Sequence, residues 1–182
     1  LKTVSLPEST DDEKKFALEG IQYFVEELDV AADLVKNNAV SPILSLLTHE
    51  DPDLRFWSSW VLTTATQNNP GLQNQVLQLG TLSLIVKALT TESTPRVKSK
   101  QLSLVSSLLS ESPQAQQQFV QELDGISFLE PLLLDSDSSV QMRAIWIISK
   151  LIQSHREAFA KYPGVSSNLN EALKSPDQNI QE

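Results

Sequence analysis

Apolar residues return along this chain at spacings of three and four, in stretches several helical turns long, broken by short polar corners. Phe16, Leu18, Ile21, Phe24, Val25 and Leu28 form one stripe, Val40, Ile43, Leu44, Leu46 and Leu47 a second, and Leu54, Ser58, Val61, Leu62 and Ala65 a third. Downstream come Leu82, Leu84, Ile85, Ala88 and Leu89; Val97, Gln101, Leu104, Val105 and Leu108; Ile126, Phe128, Leu129, Leu132 and Leu133; Val140, Ala144, Ile147, Ile148 and Leu151; and Val165, Leu169, Ala172 and Leu173. A period of about 3.6 residues is that of amphipathic helices. No strand-like alternation interrupts it. Shorter helices are expected over residues 29–37, 73–79, 114–123 and 157–161. Pro42 is expected to start or kink its helix.

The corners repeat as well. Ala65-Thr66-Gln67-Asn68-Asn69-Pro70 ends one long helix and opens a short one that stops at Gly80; Ser110-Glu111-Ser112-Pro113 does the same ahead of Gly125, and Ser154-His155-Arg156 is a degraded third copy ahead of Gly164. Asn tolerates left-handed backbone and caps helices, and Pro suits a first turn but not a helix interior. The stops Asn38, Gly80, Gly125 and Gly164 lie about 40 residues apart, close to the roughly 40–47 residues of armadillo and HEAT units. Three helices per cycle, one of them short, favour armadillo. The expected fold is all-α, a right-handed armadillo-repeat solenoid of about four repeats, with each repeat burying its apolar side against its neighbours. Residues 1–12 read as a polar lead-in, with Thr10 or Asp11 capping the first helix. Residues 13–182 read as one domain whose last repeat is incomplete and carries a turn at Ser175-Pro176-Asp177.

Charge narrows the function. The formal net charge is −9, unlike a nucleic-acid binder, which wants a basic face. No apolar run is long enough for a membrane helix. There is no Cys, so there is no disulfide framework or thiolate site. The chain begins at Leu1 rather than Met, and a longer parent protein is expected. His49 and His155 fall in a turn and at a helix end, more suited to solvation or capping than to catalysis. No metal-binding His pair, Gly-rich phosphate loop or serine elbow occurs. Asp135-Ser136-Asp137-Ser138 lacks the glycine and closing glutamate of a calcium loop and reads as a capping turn. No cofactor or metal is expected, and an enzyme is the weakest reading.

What remains is a binding face. On the helix ending at the first corner, Trp57, Trp60, Thr64 and Asn68 share a side next to the apolar stripe. Aligned through the corners, Trp60 corresponds to Ser103 and Trp146, and Thr64 to Ser107 and Lys150. The Trp residues serve either as packing between repeats or as anchors for a protein partner, a role in which Trp is enriched. Lys98, Lys100, Arg143 and Lys150, with Arg96, are basic residues of long helices on an acidic chain. They are either solvated or steer an acidic partner patch. The candidate partner-binding face on the concave side is therefore Trp57, Trp60, Thr64, Asn68, Lys98, Lys100, Ser103, Ser107, Arg143, Trp146 and Lys150. The Trp-then-Asn pattern of peptide-clamping armadillo proteins is absent, since Asn never follows these Trp residues by four.

Several segments together resemble one family. Ala65-Thr66-Gln67-Asn68-Asn69-Pro70 with Gln73, Gln75-Val76 and Leu79-Gly80, the segment Leu28-Asp29-Val30-Ala31, and residues 97–108 with Ser112-Pro113, Ala115, Gln118-Phe119 and Asp124-Gly125 are similar to the armadillo-type nucleotide exchange factors of the 70-kDa heat-shock chaperones, the Hsp70-binding-protein family, which has cytosolic and endoplasmic-reticulum branches. The similarity spans about residues 14–155. Val30 and the Pro-less third corner depart from the pattern. The resemblance implies a monomeric co-chaperone that embraces the chaperone's nucleotide-binding domain and promotes ADP release, with no catalytic residue, nucleic acid or membrane involved. It implies a cytoplasmic protein, or alternatively one of the endoplasmic-reticulum lumen. The competing expectation is an armadillo scaffold that binds another protein or peptide without exchange activity.

Overall fold

The computed structural model describes residues 2–25, 28–172 and 174, and these are helical with no strand among them. The chain divides into two compact units, Leu1–Glu111 and Ser112–Glu182. In the first unit, α1 (Lys2–Ser5), α2 (Asp11–Phe24), α3 (Leu28–Lys36), α4 (Val40–Ser45), α5 (Pro52–Thr66), α6 (Pro70–Gln78), α7 (Thr81–Leu89) and α8 (Pro95–Leu109) follow in order. A 3₁₀ turn at Leu46–Thr48 extends α4. In the second, α9 (Pro113–Gln117) widens into a π-turn at Gln118–Glu122, and α10 (Gly125–Leu129), α11 (Ser138–His155) and α12 (Pro163–Ala172) follow, with 3₁₀ turns at Pro131–Leu134 and Arg156–Lys161. Residues expected as a polar lead-in thus contain α1, which packs on α2 and α4 through buried Val4.

The start signals act where the sequence places them. Thr10 caps α2 in a reciprocal box with Glu13, and Asp51 accepts the Asp53 N–H at the head of α5. Asp137 accepts the N–H groups of Ser139 and Val140 at the head of α11, while Asp135 accepts that of Asp137. Each side-chain cap is worth about 1 kcal/mol. Pro52, Pro70, Pro95 and Pro113 each open a helix, where the missing N–H costs nothing.

The stripes form the cores. Leu54, Val61, Leu62, Leu82, Ile85, Val97, Leu104, Val105 and Leu108 are buried in the first unit, as are Phe119, Ile126, Leu129, Leu133, Val140, Ile148 and Leu151 in the second. Burial of each large side chain is worth roughly 1.5–3 kcal/mol. The α2 stripe is the exception. Leu18 and Val25 are buried, but Phe16 and Phe24 are exposed. Phe16 is apolar but stands only two residues from Leu18, and counted from the cap at Thr10 it falls in the register of Trp57, beside the stripe. The side chains of Leu28, Asp29, Val30 and Leu173, and the turn at Ser175–Asp177, lie outside the described residues.

The two Pro corners share one geometry, which the third, at Ser154-His155-Arg156, lacks. Asn68 and Glu111 take left-handed backbone (φ 56° and 57°), the next residue, Asn69 or Ser112, caps the following helix through its side chain, and Pro opens it. Asn38 and Gly80 are left-handed stops, with φ 52° and 73°. At the third stop the left-handed residue is Asp124 (φ 50°), not Gly125. Gly125 begins α10 because its Cα lies against the buried Phe119 ring: a Cβ there would sit 2.2 Å from Cε1. Asp124 accepts a hydrogen bond from the Tyr162 hydroxyl, which raises that hydroxyl's pKa. Gly164 is not a stop either; it lies in the first turn of α12.

Candidate functional site

Counting from the caps Thr10, Asp51, Thr94 and Asp137 puts the long helices in a common register. Phe16, Trp57, Lys100 and Arg143 share one position, Glu19, Trp60, Ser103 and Trp146 the next turn, and Tyr23, Thr64, Ser107 and Lys150 the turn after. In the first unit α2 packs on α5, and α5 on α8. Trp57 and Trp60 are half-buried and stack, ring centres 5.2 Å apart and planes 4° from parallel. Phe56 meets both rings edge-on, at 5.4 and 5.5 Å. Cations from α8 complete the cluster: Lys100 Nζ lies 4.4 Å from the centre of the Trp60 ring, and the Arg96 guanidinium 5.3 Å from that of Phe56. Arg96 also pairs with Asp53. Phe56 was not legible as part of the site, because its register position is otherwise occupied by polar or flexible side chains.

The small polar residues of the candidate set have internal duties. Thr64 Oγ1 accepts from Gln22 Nε2 at 3.0 Å, tying α2 to α5. Ser107 Oγ lies 2.8 Å from Thr66 Oγ1, between α5 and α8. Ser103 is buried and bonds back to the Ser99 carbonyl. Asn68 is off the face altogether: α5 ends at Thr66 and Gln67 is extended, so Asn68 leaves the helical register and serves the corner. Gln73 serves that corner too, donating to the carbonyls of Ser107 and Ser110 (the latter at 2.8 Å) at the end of α8. Those carbonyls have no intrahelical partner of their own.

In the second unit, Trp146 on α11 is 53% exposed, with Lys150 Nζ 5.2 Å from its ring centre, and Arg143 and Met142 are exposed beside it. Neither α8 nor α11 contains an acidic residue, while α8 carries Arg96, Lys98 and Lys100 and α11 carries Arg143 and Lys150. Among the described residues no group of three or more His, Asp or Glu could hold a metal. His49 is engaged in the turn, accepting the Asp51 N–H. A cleft of about 260 Å³ near His49 is floored by the Arg55–Glu92 ion pair, whose polar atoms are already partnered. The chemistry on offer is recognition by aromatic faces and fixed positive charge.

The model of the SIL1/FES1/HPBP1 C-terminal domain matches residues 30–176. The chain belongs to the SIL1/FES1/HPBP1 family. This SIL1/FES1/HPBP1 member is 27% identical over 151 residues to the Hsp70 nucleotide exchange factor FES1 of Mycosarcoma maydis, covering 83% of this chain and 38% of that protein. It is 30% identical over 145 residues to the nucleotide exchange factor SIL1 of Rattus norvegicus, covering 79% of this chain and 31% of that protein. It therefore spans about a third of the length of these two relatives. Among solved structures it is similar to a designed armadillo repeat protein in complex with the peptide (KR)4, with TM-score 0.82 and 21% identity over 99% of this chain and 75% of that one. An armadillo-repeats-only protein from Plasmodium falciparum gives TM-score 0.75 and 16% identity over 92% and 76%. These two likenesses establish the armadillo fold of the family member.

Proposed function

We propose that this chain binds the nucleotide-binding domain of a 70-kDa heat-shock chaperone through the exposed face of its long helices and promotes ADP release, catalysing no reaction itself. The observation that carries this reading is the family match over residues 30–176, among relatives named as Hsp70 nucleotide exchange factors. The face supports it. Trp57 and Trp60 with Phe56 offer an aromatic anchor, and Lys98 and Lys100 in the first unit, with Arg143, Trp146 and Lys150 in the second, suit an acidic partner surface. Thr64, Ser103 and Ser107 keep this face low and fixed rather than contributing binding energy.

Exchange requires only that the open, nucleotide-releasing form of the chaperone domain be bound better than the closed form. A preference of about 100-fold, roughly 2.7 kcal/mol, is within the ordinary range of coupling energies. On this reading the chain acts as a monomer, a single copy sufficing for one chaperone domain. Stopped-flow release of a fluorescent ADP analogue from a cytosolic and from a luminal chaperone tests the reading, and the chaperone that responds sets the compartment. Acceleration is expected. Absence of acceleration with both refutes it, and binding without acceleration supports a scaffold instead. Trp60→Ala with Lys98→Glu is expected to weaken binding more than folding; an equal loss of thermal stability would make these residues structural.

A further inference from the structure

The aromatic residues of the long helices are not all treated alike. Lys100 lies over Trp60, Arg96 over Phe56 and Lys150 over Trp146. On α2, Phe16 and Tyr23 occupy the register of Trp57 and Thr64, are each 81% exposed, and have no cation over them among the described residues. Glu19 stands between them, one turn from each, and is exposed. The neighbouring base, Lys15, is already committed to Asp12 at 2.9 Å and Asp51 at 3.2 Å, which holds it charged and turned away. Among the described residues Glu19 has no hydrogen bond or ion pair. Gly20 keeps the surface beside it low, with nothing within 4 Å of where a Cβ would stand. The arrangement is two exposed rings flanking a carboxylate, with Tyr23 also meeting the Phe24 ring in a T-shaped contact, centres 4.9 Å apart; it offers a basic side chain a charge-assisted hydrogen bond at its head and cation–π contact on either side.

We propose that Phe16, Glu19 and Tyr23 form a subsite for an arginine or lysine of the protein bound on this face, taken here, on the reading above, to be the chaperone's nucleotide-binding domain. The subsite precedes residue 30, where the family match begins, so it is a property of this chain beyond what that match describes. It also gives the first unit a polarity. A partner lying across α2, α5 and α8 meets an acidic aromatic subsite at one edge and the basic α8 at the other, and binds in one direction only, because reversal would oppose like charges at both ends.

The test measures the dissociation constant of the full chain for the purified nucleotide-binding domain by calorimetry, at low and moderate salt. Glu19→Lys is expected to weaken binding about 10-fold or more and Glu19→Gln about 3-fold, with the loss shrinking at higher salt. Phe16→Ala with Tyr23→Ala is expected to weaken it about 10-fold. Thermal midpoints should stay unchanged, since all three side chains are exposed. Unchanged affinity in every variant, with wild type still accelerating ADP release, overturns the subsite and leaves the exchange reading standing. Loss on truncating the rings but not on reversing Glu19 means an apolar occupant and overturns the basic one. A wild-type dimer in sedimentation that these substitutions dissociate makes a second copy the occupant and also overturns it. If the wild type binds neither a cytosolic nor a luminal domain, the exchange reading falls and takes this proposal with it.

Discussion

Replacing Glu92 by Gln should be among the most damaging conservative changes in the first unit. Arg55 Nε and Nη2 reach the two carboxylate oxygens of Glu92 at 2.7 and 3.1 Å, and Nη1 donates to the carbonyls of His49 and Glu50 at 2.7 and 2.8 Å. One guanidinium thereby joins α5, the turn before it and the turn after α7. The side chains are only 17% and 3% exposed. Gln keeps the volume and one acceptor but leaves the guanidinium charge without its counter-ion. Losing one partner of a buried pair costs about 3–5 kcal/mol; the solvent still reaching Arg55, and the retained acceptor, bring the expectation to about 2 kcal/mol. In a chain of this size that is a fall of roughly 4–8 °C in the thermal midpoint. Burial pushes the Glu92 carboxyl up, but the bonds from Arg55 and from the Thr94 N–H outweigh it and hold the pKa below its ordinary value. A depressed folded pKa gives stability that is complete above the unfolded pKa and drains away as pH falls through the folded one. The gap between wild type and Glu92→Gln should therefore be constant near neutrality and narrow in acid. Urea unfolding followed by tryptophan fluorescence measures it at each pH. A gap under about 0.5 kcal/mol at neutral pH, the scatter expected of surface changes, or one that widens on acidification, refutes the argument.

Two further substitutions probe the corners. Gln73→Leu leaves the Ser107 and Ser110 carbonyls without their donor at a site where Gln73 is buried, and should cost about 1–3 kcal/mol in urea unfolding; a neutral result would mean water replaces the amide. Gly125→Ala drives a methyl into the Phe119 ring and should cost about 1–3 kcal/mol by the same assay, whereas a merely left-handed glycine would be relieved by Asn.

Helical periodicity and the two Pro corners were enough to place nearly every helix, because caps and apolar spacing act locally. The register of α2 was less legible. Phe16 is apolar and was grouped with Leu18 and Ile21, but it stands two and five residues from them, spacings that do not share a helix face, and counting from the cap at Thr10 puts it outward. Trp57, Trp60 and Lys100 could be named from the wheel, but their stacking and the cation over the ring depend on how α8 lies against α5, which no single-helix pattern contains. Asn68 leaves the register of Trp60 and Thr64 for the opposite reason: the wheel continued a helix that the extended Gln67 had already ended. At Gly125, sequence grammar expected a left-handed glycine where packing required an absent side chain.

The seams between long helices explain why polar residues sit where leucine would bury more area. Gln22 bonds Thr64, Thr66 meets Ser107, and Gln101 reaches the Leu47 carbonyl at 3.0 Å. The arrangement carries a cost, since the second amide atoms of Gln22 and Gln101 are buried without a partner among the described residues, roughly 1–3 kcal/mol each. Leucine contacts tolerate sliding of one helix along another; a directional hydrogen bond between side chains on neighbouring helices does not. Under the function proposed above, a face that tells an open partner domain from a closed one cannot deform to fit both, because equal fit gives equal affinity and shifts no equilibrium. On that argument the Thr66–Ser107 bond between α5 and α8 fixes the spacing between the Trp57–Trp60 stack and the basic residues of α8, while Gln22 holds α2 to α5 and Gln101 holds α8 to the turn after α4.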